Sequence, residues 1–103
     1  MKKALKRESE ADVEARLREK VRTELQGIAY KWVCPGRNGV PDRMVCLPGG
    51  HVIFVELKAP GKQLRYNQII RRKELLRLGF RVVMLDSKAA VDTFIEGLRG
   101  AQP

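Results

Sequence analysis

Three charged residues have the types and spacing to do chemistry together: Asp42, Glu56 and Lys58. The latter two end a segment that otherwise reads Val52-Ile53-Phe54-Val55. Charged groups at sheet positions carry a desolvation cost unless they are paired or bound to an ion. Side chains alternate along a strand, so Glu56 and Lys58 share one face while Val55 and Leu57 point to the other. Two accounts are open. In one, Glu56 and Lys58 are a solvated strand end with a weak surface pair. In the other, Asp42 and Glu56 bind a hard divalent cation such as Mg²⁺, which is held by one or two carboxylates with water and phosphate oxygens. Such an ion would polarise a phosphate ester and acidify a bound water, with the Lys58 ammonium orienting that water or neutralising developing charge.

Bringing Asp42 to Glu56 requires a hairpin, and the sequence reads as one. Arg43 to Leu47 and His51 to Leu57 are the strands, and Pro48-Gly49-Gly50 is the turn. A turn centred near Pro48 and Gly49 places Asp42 opposite Val55 or Glu56, and in the second register the two acids are direct neighbours. Upstream, Ser9 and Asp12 mark a helix start near Glu10. Val13, Leu17, Val21 and Leu25 form its apolar stripe, and Gly27 is the expected stop. Ile28 to Cys34 favours a short strand, and Pro35, Gly36, Asn38, Gly39 and Pro41 make a loop.

Downstream of Ala59-Pro60-Gly61, a second helix is expected from about Leu64 to Leu78, closed by Gly79. Tyr66, Ile69, Ile70 and Leu76 fall on its apolar side. Phe80 to Leu85 is an almost continuous apolar run, which predicts a strand covered on both faces and central or nearly so. A last helix from about Lys88 to Leu98 would bury Ala90, Val91, Phe94, Ile95 and Leu98, with Gly97 and Gly100 loosening its end. The order is αβββαβα, an α/β fold whose mixed sheet carries the hairpin between flanking helices.

A chain of 103 residues is one ordinary domain, expected over residues 9–99 between a basic tail at 1–8 and a short tail at 100–103. Lys and Arg number 21 against 12 Asp and Glu, and the net charge of +9 implies attraction to polyanions, nucleic acid first among them. A basic surface that only keeps the chain in solution is the bland alternative. No apolar stretch follows the first basic residues, and no run is long enough to cross a membrane, so neither a secretion signal nor a membrane partner is expected. Cys34 and Cys46 then point to a reducing cytoplasm and to small buried thiols rather than a disulfide. With His51 they make three Cys and His residues in all, widely separated, whereas a structural zinc site uses four. His51 is not expected to be catalytic, and Trp32 and Tyr66 are read as core rather than base-stacking groups.

Asp42 preceded by Pro41, then a hairpin, then Glu56-Leu57-Lys58 is the PD-(D/E)xK signature. The longer string Gly39-Val40-Pro41-Asp42-Arg43, with Phe54-Val55-Glu56-Leu57-Lys58-Ala59-Pro60-Gly61, Gln68 and Leu78-Gly79-Phe80, resembles the VRR-NUC nucleases, in the stand-alone form of phages and bacteria. The resemblance spans roughly Glu10 to Leu98. It implies a restriction-endonuclease-like core and hydrolysis of DNA phosphodiester bonds with Mg²⁺ or Mn²⁺ bound by Asp42 and Glu56, and it matches Lys58 to the motif lysine. It also implies a glutamate from the first helix, for which Glu14 is favoured over Glu10, and a metal contact from the Leu57 carbonyl. Gln68 would face the site and help hold water or phosphate. Lys31, Arg37 and Arg43 are candidate phosphate contacts, Arg43 best because it lies in the matched string. Stand-alone relatives imply a homodimer acting on branched DNA such as four-way (Holliday) junctions, in a bacterial or phage-infected cytoplasm. The rival readings are a restriction-like endonuclease on linear duplex DNA and a non-catalytic basic DNA-binding module.

Overall fold

The computed structural model describes residues 8–101, and the basic tail expected at 1–8 lies, up to residue 7, outside the described residues. Helix α1 (Glu10–Leu25) opens on a capping box: the Asp12 amide donates to Ser9 Oγ at 3.1 Å and the Ser9 amide donates to Asp12 Oδ2 at 2.9 Å. Its stripe of Val13, Leu17, Val21 and Leu25 is fully buried. The helix stops at Gln26, which takes the left-handed conformation (φ 54°) that Gly27 was expected to supply. Gly27 is needed for space instead, since a Cβ there would sit 2.5 Å from the Cys46 carbonyl oxygen.

Strands β1 (Ile28–Lys31), β2 (Arg43–Leu47), β3 (His51–Leu57) and β4 (Arg81–Leu85) form one sheet in chain order. The β1–β2 and β2–β3 pairs are antiparallel, and β4 joins β3 in parallel after helix α2 (Tyr66–Arg77). Helix α3 (Lys88–Ala101) closes the chain and runs past both glycines expected to loosen its end. The observed order is the αβββαβα expected, an α/β fold with a mixed sheet between helices.

Alternation divides the sheet cleanly. Ala29, Val45, Leu47, Ile53, Val55, Leu57, Val83 and Leu85 meet α1 and α3 in the main core. The opposite face carries Phe54, Glu56 and Val82, with the Phe54 ring 4.8 Å from Trp32 and 5.2 Å from Phe80 between centroids.

Two expectations are corrected here. Strand β4 is an edge strand, not a central one, because among the described residues the sheet order ends on it and the chain returns as α3. Val82 and Leu85 are buried, but Phe80, Arg81 and Met84 are exposed. Helix α2 does not bury the side carrying Tyr66, Ile69 and Leu76; these are exposed, and its one buried residue is Gln68. The row through Tyr66 and Ile69 meets Lys73 one turn later, and a lysine in that row marks it as a solvent row. Among the described residues no helix is long and apolar enough to cross a membrane.

Candidate active site

The hairpin register pairs Arg43 with Val55 and Leu47 with His51. Extended by one residue, it sets Asp42 opposite Glu56, the second of the two registers open from the sequence. Two backbone amides secure Asp42: that of Trp32 donates to its carbonyl at 2.9 Å, and that of Leu57 donates to its side-chain Oδ2 at 2.8 Å. Asp42 is therefore fixed from both neighbouring strands.

Glu56 is 5% exposed, at the end of a buried strand. Burial, then the hydrogen bond and charge it shares with Asp42, push its carboxyl from an ordinary 4.5 up to about 8; Lys58 opposes the rise and Glu10 adds to it. Two carboxyls in hydrogen-bond contact must hold a proton between them, so near neutral pH the pair lacks a positive charge. Lys58 supplies part of it from just beyond β3, where its amide donates to the Leu85 carbonyl at 3.0 Å.

Gln68, 5% exposed, faces the site and supports this pair. Its Oε1 accepts from the Arg65 amide at 2.8 Å and its Nε2 donates to Glu56 Oε1 at 3.0 Å. With the oxygen already engaged, the amide nitrogen must face the carboxylate. Gly39 allows the arrangement. It has φ +86°, and a Cβ on it would lie 2.5 Å from the Asn67 backbone and 2.8 Å from the Gln68 nitrogen, so the loop ending at Asp42 can press on the first turn of α2 only without a side chain.

The remaining candidates separate. Glu14 accepts from Arg43 Nη2 at 2.7 Å, and the charge of Glu10 makes a small contribution to the rise at Glu56. Arg43 is corrected as a phosphate contact: it is 7% exposed, points to the core face, and donates to the Ala29 carbonyl at 3.1 Å as well as to Glu14, with its Nε left as a buried donor without a partner. Lys31 and Arg37 are exposed, and Arg37 lies 3.8 Å from Glu74. Leu57 buries its side chain in the core while its amide serves Asp42. Trp32 packs on Phe54 as expected, whereas Tyr66 is in solvent, against expectation. Cys34 and Cys46 are free thiols, each half-buried. The β2–β3 turn, with exposed His51, borders a cleft of about 760 Å³ reaching Phe80, Arg81 and Leu98. That cleft is at the far end of the hairpin from Asp42 and Glu56 and contains no carboxylate.

The donor set can be tested against a metal. Among the described residues no group of three or more His, Cys, Asp or Glu gathers round one point. A pair of oxygen donors short of positive charge still fits Mg²⁺ or Mn²⁺, which take one or two carboxylates and complete their shell with water and substrate oxygens.

No family profile matches the chain. It is 49% identical over 79 residues, covering 77% of its own length and 84% of the other, to the "Putative nuclease p44" of Acyrthosiphon pisum secondary endosymbiont phage 1. It also superposes on a solved VRR-NUC domain with a TM-score of 0.80 and 31% identity, over 84% of this chain and 94% of that one. That likeness in sequence to a phage nuclease and in structure to a VRR-NUC domain, over a sheet that sets Asp42 against Glu56, shows that the chain belongs to the VRR-NUC nucleases of the PD-(D/E)xK class.

Proposed function

We propose that this nuclease is a Mg²⁺- or Mn²⁺-dependent DNA endonuclease that hydrolyses phosphodiester bonds in branched DNA such as four-way junctions, acting as a homodimer. The observation that carries the metal requirement is the Asp42–Glu56 pair, held in contact by Leu57 and Gln68 and retaining a proton near neutral pH. A cation in place of that proton relieves the repulsion, and the +9 chain brings the polyanion to it. When bound, the ion supplies Lewis acidity toward the phosphate and acidifies water.

The chain's own residues do the rest. Asp42 and Glu56 hold the ion, with the Leu57 carbonyl as a further oxygen donor. Lys58 neutralises charge developing on the phosphate as water attacks phosphorus and the leaving oxygen departs. Gln68 keeps the Glu56 carboxylate turned toward Asp42. Glu10 takes the place of Glu14 as the acid contributed by α1, because Glu14 is committed to Arg43. Lys31 and Arg37 remain phosphate contacts at the rim. The homodimer is supported by apolar groups left in solvent on edge strand β1, where Ile28 and Tyr30 are exposed on the sheet face away from α1 and α3. A two-fold axis would give a one-site domain two equivalent sites for paired cuts across a junction. Two free thiols and a phage relative support a cytoplasmic setting.

The test is cleavage of a labelled four-way junction and a matched linear duplex in Mg²⁺, Mn²⁺ or EDTA, by wild type and Glu56→Gln. Metal-dependent cutting of the junction, lost in the variant, is expected. Equal cutting of the linear duplex would favour a restriction-like enzyme, and binding without cutting in every metal would overturn the proposed catalysis.

A further inference from the structure

Tyr66 is the first residue of α2 and is 79% exposed, so its ring adds little to the core. The backbone that carries it is nevertheless tightly held. The Arg65 amide is bonded to Gln68, and Gln68 is bonded to Glu56, so two hydrogen bonds of 2.8 and 3.0 Å link the chain beside Tyr66 to the site carboxylate. The close approach of Gly39 to Asn67 and Gln68 braces the same turn from the other side. The exposed ring therefore stands on a fixed turn, on the side of α2 roughly opposite the buried Gln68 that reaches Glu56, where it is open to contact with substrate on its way to the site.

Its surroundings have the charge that such a contact needs. Lys62 and Arg65 precede it, and Arg72 and Lys73 follow on the helix, all exposed. The one acid of α2, Glu74, is engaged by Arg71 at 2.7 Å. Ile69, one turn beyond Tyr66, is also exposed and extends the apolar strip. Aromatic rings interleaved with basic groups suit nucleic acid whose bases are out of the helical stack, because every base has a π-face and every nucleotide a phosphate. A second copy of the chain is the other conceivable occupant. A two-fold axis through this surface would set Arg65, Arg72, Lys73 and Arg77 against their own equivalents, which like-charge repulsion disfavours.

We propose that Tyr66 stacks on an unpaired base of the strand entering the Asp42–Glu56 site, with Lys62 and Arg65 on the flanking phosphates, so that this surface selects DNA with unstacked bases. The inference rests on the DNA nuclease reading above and adds the element that recognises where the duplex opens.

The experiment compares binding of single-stranded and matched duplex oligonucleotides carrying 2-aminopurine, in Mg²⁺, by the Glu56→Gln protein alone and with Tyr66→Ala or Tyr66→Phe added. Tyr66→Ala should weaken single-strand binding about tenfold more than duplex binding. It should also abolish the stacking quench of 2-aminopurine, while Tyr66→Phe keeps both. Equal losses on the two DNAs, no loss on either, or a changed sedimentation coefficient with unchanged DNA affinity would overturn the proposal, the last assigning the ring to a second copy. Failure of the nuclease reading would register separately, as wild-type protein that cuts no DNA in Mg²⁺ or Mn²⁺.

Discussion

Asp92 and Glu56 are both carboxylates in one small domain, and their surroundings drive them in opposite directions. Asp92 on α3 accepts both Arg16 Nε and Nη2 at 2.8 Å and Lys20 Nζ at 3.0 Å, and these bonds hold its carboxyl well below the usual range. The same seam carries Arg99 on Glu24 at 3.1 Å, above a core in which α1 buries its whole stripe. On the opposite face Glu56 is buried beside a second acid, its carboxyl is raised, and the helix next to it leaves Tyr66, Ile69 and Leu76 in water. The α1–α3 side pairs its seam charges and buries its apolar stripe within the chain, with Arg43 Nε the buried donor it leaves over. The α2 side leaves both kinds of group short of partners, which is the state expected of a surface that awaits an ion and a polyanion.

Glu56→Gln attacks that comparison at its centre. Cleavage should fall on the order of a thousandfold, because a bound metal contributes several kcal/mol to the transition state and each 1.36 kcal/mol is tenfold. The same change should stabilise the metal-free protein at alkaline pH. Folded Glu56 keeps its proton up to about pH 8 whereas the unfolded chain releases it from about 4.5. Its contribution is therefore fully present below that lower value and lost as pH rises through 8. Thermal melts of the metal-free wild type should decline across this window, and those of the variant should not; parallel curves would refute the shared-proton arrangement.

Leu17→Ala probes the other side. Its side chain is fully buried, so denaturant titration should show a loss of about 2–5 kcal/mol. At temperatures where the variant is folded, the rate of cleavage should stay within a few-fold of wild type. A large kinetic loss without unfolding would mean that the two faces are coupled.

Gln68→Leu sharpens the division between holding a ligand and being one. Cleavage should drop roughly 10–100-fold, as for other groups that orient a metal ligand, with a weaker apparent affinity for Mn²⁺ in a titration of activity. Smallest of all is the effect expected from Asp92→Asn. The groups it meets are partly exposed, so the melting temperature at pH 7 should fall only slightly and cleavage should not change. A depressed carboxyl contributes above its ordinary pKa and loses that contribution as pH falls, so the difference between variant and wild type should vanish in acid, opposite in sign to Glu56.

Much of this was legible in local pattern. The capping box at Ser9, the four-residue spacing of the α1 stripe and the turn at Pro48-Gly49-Gly50 are short-range signals, and α1 and the hairpin strands lie where those signals put them. The hairpin also confined Asp42 to two possible partners, and alternation placed Lys58 with Glu56. These follow from periodicity and turn geometry within about fifteen residues, which local sequence controls.

Other features needed elements distant in sequence. Whether the Phe80–Leu85 run would be central or at the edge depended on which strand lay beside it, and apolar content is the same in either case. Arg43 and Glu14 each looked available for the site until α1 crossed β2 and joined them at 2.7 Å. Tyr66 looked like core because an aromatic in a helix usually is, yet α2 docks through Gln68 and the Gly39 loop and turns that ring outward. Sequence alone determined the helices, the hairpin and the choice of two partners for Asp42, because bonding and alternation there are local, and the observed strand register chose Glu56 between them. Tertiary structure decided which charges were neutralised and which apolar groups stayed in water, because burial and Coulomb energy depend on what packs alongside, however far away it lies in the chain.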